Sequence, residues 1–163
     1  MLGSQLMREV GVMDVDVVLG DARDLVLSES YAALERSHPV HYEAFGEETT
    51  RRCLANLFEL VVAGIHDREL ASIVRYSEKV ATERFEAGFD IGEVQTAYNA
   101  LEEAMWRHLI QVVPQAELAE AIGLLSTVLG AGKDALARTY VSLASQRHVR
   151  SLDLSALFEG TVS

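Results

Sequence analysis

The sequence predicts an all-α fold. The expected architecture is an antiparallel bundle of four main helices plus an N-terminal helix. A globin-like helical arrangement is the alternative, because helix count does not fix crossing angles. Three observations lead there. Apolar residues recur at three-and-four spacing over long stretches, the signature of helices with one buried face. The chain has two prolines, Pro39 and Pro114, and both fall between those stretches, where a helix has to stop. The short segment Ala87-Gly88-Phe89-Asp90 combines a helix-stop signal with a helix-start signal. With 163 residues, of which 49% are hydrophobic, the chain can bury one core without metals or disulfides.

The elements follow in order. Met1 to Met13 mixes apolar and charged residues without a pattern and reads as an arm or frayed end. From Asp14, the positions of Val17, Val18, Asp21, Leu25 and Ala32 permit a helix to about Arg36. Gly20 weakens it by roughly 1 kcal/mol relative to alanine. Ser37 to Tyr42 reads as a linker, since Pro39 pushes His38 out of helical geometry. A helix over about 45–65 has the inner face Cys53, Leu54, Leu57, Phe58, Val61 and Ile65. His66-Asp67 is the break after it. The next helix begins near Leu70, with the stripe Leu70, Ile73, Val74, Ser77, Val80, Ala81 and Phe85.

The turn that follows organises the middle of the chain. Gly88 suits the left-handed position that ends a helix. Asp90 is the N-cap of the next helix. Glu93 stands three residues on, as a capping-box partner does, and Phe89 and Val94 occupy the two positions of a hydrophobic staple. A connection this short makes the two helices antiparallel neighbours. The second of them carries Ile91, Val94, Ala97, Tyr98, Leu101, Met105, Leu109 and Val112 on its inner stripe. Arg75, Glu78, Lys79, Glu83, Arg84, Glu102, Glu103 and Arg107 fall mostly on outer faces. Pro114 ends that helix.

A last long helix begins near Gln115, with Leu118, Ala121, Ile122, Leu125, Val128, Leu129, Gly132, Leu136, Tyr140 and Leu143 as its stripe. That spacing suits a bundle seam that extends into a dimer contact. Gly123, Gly130 and Gly132 lie within it and point to close helix approach ahead of a kink. The pattern changes after Gln146. Residues 1–146 therefore read as a single helical domain and 147–163 as a C-terminal tail or short docked helix. Arg147, His148 and Arg150 form a small basic patch there, with Leu152, Leu154, Leu157 and Phe158 as anchors.

Charge and composition narrow the function. A formal net charge of −11 opposes nonspecific binding to nucleic acid and to anionic membranes. No apolar run approaches the ~18 residues of a membrane span. The N-terminus lacks the features of a signal peptide. Cys53 is the single cysteine, so no internal disulfide forms and a reduced, cytoplasmic setting is expected.

No catalytic signature is present. Gly130-Ala131-Gly132-Lys133 resembles a phosphate loop poorly: Thr127 stands where the first glycine belongs, and Asp134 where Ser or Thr should follow the lysine. His38 and His41, with Glu43 and Glu47 downstream, are metal-ligating types, but no second pair accompanies them and a polar linker contact explains them. His66 suits a helix C-terminus. Nothing selects a haem ligand among the five histidines, and no cofactor or metal is expected. Cys53 reads as a small hydrophobe. Glu102, Glu103 and Arg107 read as a solvated helix face with an i,i+4 pair. No Glu-x-x-His pair supports a di-iron bundle. Tyr98, Met105 and Trp106 are the candidates for a ligand pocket or an interface. Of these, Tyr98 is a polar-tipped aromatic on an inner stripe, and its hydroxyl needs a buried partner.

The run from Tyr76 to Trp106 resembles the N-terminal domain of the RsbT co-antagonist proteins of the RsbRD kind. The resembling residues are Tyr76, Ala81, Arg84, Gly88-Phe89, Asp90, Glu93-Val94, Leu101-Glu102-Glu103 and Trp106, with Phe45-Gly46-Glu47-Glu48 upstream; the similarity spans about residues 30–145. The resemblance implies a helical, non-catalytic input module of bacterial stress signalling that acts by protein–protein interaction. Relatives in stressosomes are globin-like or helical, often dimeric, and hold no haem, so a homodimer is expected. Such domains usually precede an output domain, often a STAS domain. This sequence leaves no room for one, so output is expected in trans, through a STAS protein, a switch kinase or a histidine kinase, or through the C-terminal tail. A small-ligand or haem sensor is the alternative.

Overall fold

The computed structural model describes residues 14–159, with side chains through residue 151. Met1 to Met13 and the side chains of Leu152, Leu154, Leu157 and Phe158 lie outside that description. The described residues form seven helices: α1 (Val15–Asp21), α2 (Arg23–Arg36), α3 (Val40–Phe45), α4 (Glu47–Asp67), α5 (Ala71–Glu86), α6 (Ile91–Val112) and α7 (Gln115–Glu159). The architecture is an all-α helical bundle in which α4 to α7 are the long members. One continuous core joins them, with Leu19, Val26, Leu34, Phe58, Ile73, Leu101, Met105, Leu125, Leu129 and Leu136 sealed from solvent.

Four boundaries differ from those the sequence suggests, each for a local reason. The N-terminal helix is two helices, broken at Ala22 (φ −98°, ψ 12°) just after Gly20. The break lets Leu19 and Val26 both reach the core. The linker is shorter than expected, because α3 starts directly after Pro39, a residue that suits the start of a helix. His38 escapes the clash with Pro39 by taking a left-handed conformation, φ +50°. Gly46, at φ +87°, separates α3 from α4 in a conformation closed to other residues. Finally, α7 does not end near Gln146 but runs unbroken through the basic residues to Glu159.

The turn between α5 and α6 forms largely as its residues dictate. Gly88 sits at φ +85°. Phe89 N–H donates to Arg84 O at 2.9 Å and Gly88 N–H to Phe85 O at 3.1 Å, the two bonds of a Schellman stop. Asp90 caps α6 by accepting from Gly92 N–H at 2.7 Å. Glu93 departs from the capping-box expectation. Its carboxylate turns away from Asp90 to His41, with Oε2 2.7 Å from Nδ1, because α3 brings a stronger partner than a backbone amide. The polar contact expected of His41 is thus this tie between α3 and α6.

The two helices on either side of the turn are also less intimate than a hairpin would be. α5 packs chiefly along α7, and α6 against α2 and α7; a buried Ser77–Tyr98 hydrogen bond of 2.8 Å links α5 to α6 directly.

Glycines in α7 divide into two kinds. A Cβ on Gly132 would stand 3.0 Å from Ser77 Oγ and 3.2 Å from Ile73 Cγ1, so this glycine admits α5. Around Gly123 and Gly130 there is open space. Gly130→Ala is therefore expected to stabilise the protein by about 0.5–1 kcal/mol, through lower entropy of the unfolded chain. Urea unfolding checks this, and a loss of stability would mean that Gly130 is not free of neighbours.

The N-terminal end is tied down by a titratable contact. His66 Nδ1 in the last turn of α4 lies 2.8 Å from Asp16 Oδ2 in α1. The hydrogen bond to Asp16 holds the imidazole above its ordinary value of 6.5. A raised folded-state value means that the contact stabilises fully below the unfolded-state value and fades as pH climbs through the folded one. NMR titration of the His66 ring is expected to show a midpoint that falls in Asp16→Asn. An unchanged midpoint would refute the tie.

Candidate functional site

The stripe of α5 continues past Ala81 to a charge. Ile73, Ser77, Val80, Ala81 and Arg84 are all buried on one face, at the spacing that places them in line on a helix. Arg84, expected on an outer face, is only 8% exposed, while its neighbour Phe85 is partly buried beside it. Three aromatic rings surround the guanidinium: Phe45 at 4.9 Å, Phe89 at 5.4 Å and Tyr42 at 5.8 Å from the ring centres. These rings come from the end of α3 and from the turn, so the two glycine-dependent corners, Gly46 and Gly88, build the cage. The ring faces carry partial negative charge and attract the cation.

The polar side of the site comes from α4, α5 and α6. Arg84 Nη2 donates to Cys53 Sγ at 3.2 Å. Arg84 Nε is buried with no hydrogen-bond partner, and no carboxylate forms an ion pair with Arg84 among the described residues. Burial holds the Tyr42 phenol above its usual range and pushes Tyr76 up to about 12. Burial also raises Tyr98, although Ser77 opposes it through their hydrogen bond. The three phenols therefore stay neutral around physiological pH, whereas a guanidinium stays charged.

Arg84, Cys53, Tyr76, Tyr98, Tyr42 and Thr50 line a small, partly open cavity of about 20 Å³, together with Leu34, Leu54, Leu57, Val80 and Ala97. That is room for one water-sized particle. Organic ligand pockets run to roughly 300–1,000 Å³, so neither haem nor a metabolite fits inside. Larger spaces are open surface grooves. One of 290 Å³ lies between α2 and α6, beside His108. Another, of 440 Å³, is lined by α1, His66 and the start of α7.

The other sequence candidates are dispersed. Tyr98 lines the cavity, with its hydroxyl satisfied by Ser77. Met105 lies two turns further along α6, fully enclosed in the core. Trp106 is half-buried against the core, with Arg107 over its ring at 5.9 Å. Neither lines the cavity. Gly88 and Asp90 shape the turn, and Glu93 binds His41. The phosphate-loop lookalike is the middle of α7, where Lys133 pairs with Glu102 on α6; Glu103 and Arg107 form the expected i,i+4 pair at 2.6 Å. Among the described residues, no three His, Cys, Asp or Glu side chains converge as a metal site, and no helix is long and apolar enough to cross a membrane.

Residues 20–153 match the model of the family described as RsbT co-antagonist protein rsbRD N-terminal domain. No curated protein and no solved structure matches the chain.

Proposed function

Because this chain belongs to the RsbT co-antagonist protein RsbRD N-terminal domain family, a family of regulatory signalling modules, we propose that it is a non-catalytic input module that works by protein–protein contact. The form we assign is a cytoplasmic homodimer that passes its state to a signalling partner in trans. A STAS protein, a switch kinase and a histidine kinase are the classes of partner that this reading names.

The observation that carries the reading is the outer part of α7. Up to Tyr140 this helix is built into the bundle, with Ala121, Leu125, Val128, Leu129, Leu136 and Tyr140 buried. From Val141 to Arg150 nearly every residue is exposed, yet the helix continues to Glu159. Val141 is 65% exposed and Val149 55%. Most helical stability in proteins comes from packing of one face, and pairing with a second helix supplies the burial this stretch lacks. Arg147 lies over the Phe85 ring of α5 at 4.8 Å, and the basic residues His148 and Arg150 beyond it suit an acidic partner surface, including the acidic body of a second copy.

Light scattering after gel filtration tests the dimer: a mass about twice 17.9 kDa is expected at micromolar concentration. A monomer up to high micromolar concentration would end the homodimer reading. Affinity capture from the native host, read by mass spectrometry, tests the partner. Recovery of a STAS protein or kinase supports output in trans, and recovery of this chain alone opposes it.

A further inference from the structure

We infer that the cavity beside Arg84 is a binding site for a single halide ion, chloride in the cell. Arg84 is more than nine-tenths buried, and its Nε–H has no acceptor. A buried charge without a counter-charge is strongly disfavoured, and a buried donor without an acceptor adds to that penalty. The aromatic cage of Tyr42, Phe45 and Phe89 offsets part of it by cation–π attraction. The Tyr42 hydroxyl also helps to hold the charge, but the cage provides no acceptor for Nε and no carboxylate.

The remaining walls fit an anion better than a cation or an apolar guest. Tyr76 and Tyr98 reach the cavity as neutral phenols. Of the acidic residues at the turn, Asp90 accepts from Gly92 N–H and Glu93 is occupied by His41. Size then selects among anions. About 20 Å³ admits a monatomic ion or one water, and excludes phosphate, sulfate and carboxylate metabolites. Water satisfies Nε but leaves the charge uncompensated, whereas a halide does both.

The test compares melting of the full chain in sodium bromide, sodium chloride and sodium gluconate at one fixed ionic strength. Gluconate is too large to enter. The halides are expected to raise Tm along a saturating curve, by about 2–4 °C between a concentration equal to Kd and one ten times higher. Arg84→Met keeps most of the side-chain volume without the charge and is expected to abolish the saturating component. A linear response shared by the wild type and this variant would overturn the site, since general salt effects do not saturate. If the variant fails to fold, wild-type crystals grown in bromide decide. An anomalous peak within hydrogen-bond distance of Arg84 Nε supports the site. Surface peaks alone mean an adventitious ion only and reject it, as does a water in the cavity with no anomalous signal.

Discussion

Arg84→Ala is expected to destabilise the protein by about 3–4 kcal/mol, the range for truncating a large buried side chain, and to lower Tm by roughly 6–16 °C. The loss has two parts. Truncation enlarges the cavity already present between α4, α5 and α6, and it removes the guanidinium from Phe45, Phe89 and Tyr42, which pack on it from α3 and the turn. Arg84→Met separates these parts. It refills the space and removes a buried charge, a replacement that is often neutral or favourable, so its effect is expected to stay within about 1.5 kcal/mol. Chemical denaturation of the three proteins gives the comparison. A loss below about 1 kcal/mol in Arg84→Ala would show that the guanidinium contributes little to holding the cage.

Gly132→Val is the second large effect. The Cβ alone meets Ser77 Oγ at 3.0 Å and Ile73 Cγ1 at 3.2 Å, and the added methyls enter the same interface. Overpacking of this kind typically destabilises by about 1–3 kcal/mol, and here it also pushes on the Ser77 hydroxyl that satisfies buried Tyr98. The expected total is about 3 kcal/mol. Ser77→Ala in the same background is expected to relieve part of that strain, so a double-mutant cycle should show coupling between positions 77 and 132. Strict additivity would mean that the two residues do not touch.

How much of this is legible in the sequence depends on the range of the interaction. Local chemistry predicts well: Gly88 and Asp90 form the stop and the cap that their residue types demand, because both act within one turn of backbone. Helical stripes also survive, since Val94, Leu101, Met105 and Leu109 need only face inward. Partner choice is not local. Glu93 leaves its capping-box position because His41, 52 residues away in sequence, arrives beside it. α5 turns most of its face to α7 because Gly132 leaves a slot for Ile73 and Ser77. The charge of Arg84 argues for an outer face, while its spacing from Ser77, Val80 and Ala81 argues for burial. The spacing was the better guide, since three aromatics from other elements cover the charge. The extent of α7 was hidden by the polar residues around Gln146: helix that leaves the bundle no longer needs an apolar stripe.

That long helix also has a mechanical meaning. From Tyr140, where burial ends, to Glu159 it extends by about 28 Å at 1.5 Å per residue. A rod of that length pivoting on the bundle converts angle into distance, and a tilt of about 10° carries its tip roughly 5 Å, or one helical turn. The base of this arm is held where α7 meets α5 through Gly132, where the Tyr140 hydroxyl donates to Phe89 O at 3.3 Å and where Arg147 lies over the Phe85 ring at 4.8 Å. Phe89 also lines the Arg84 cage, so the base of the arm and the buried charge share one residue.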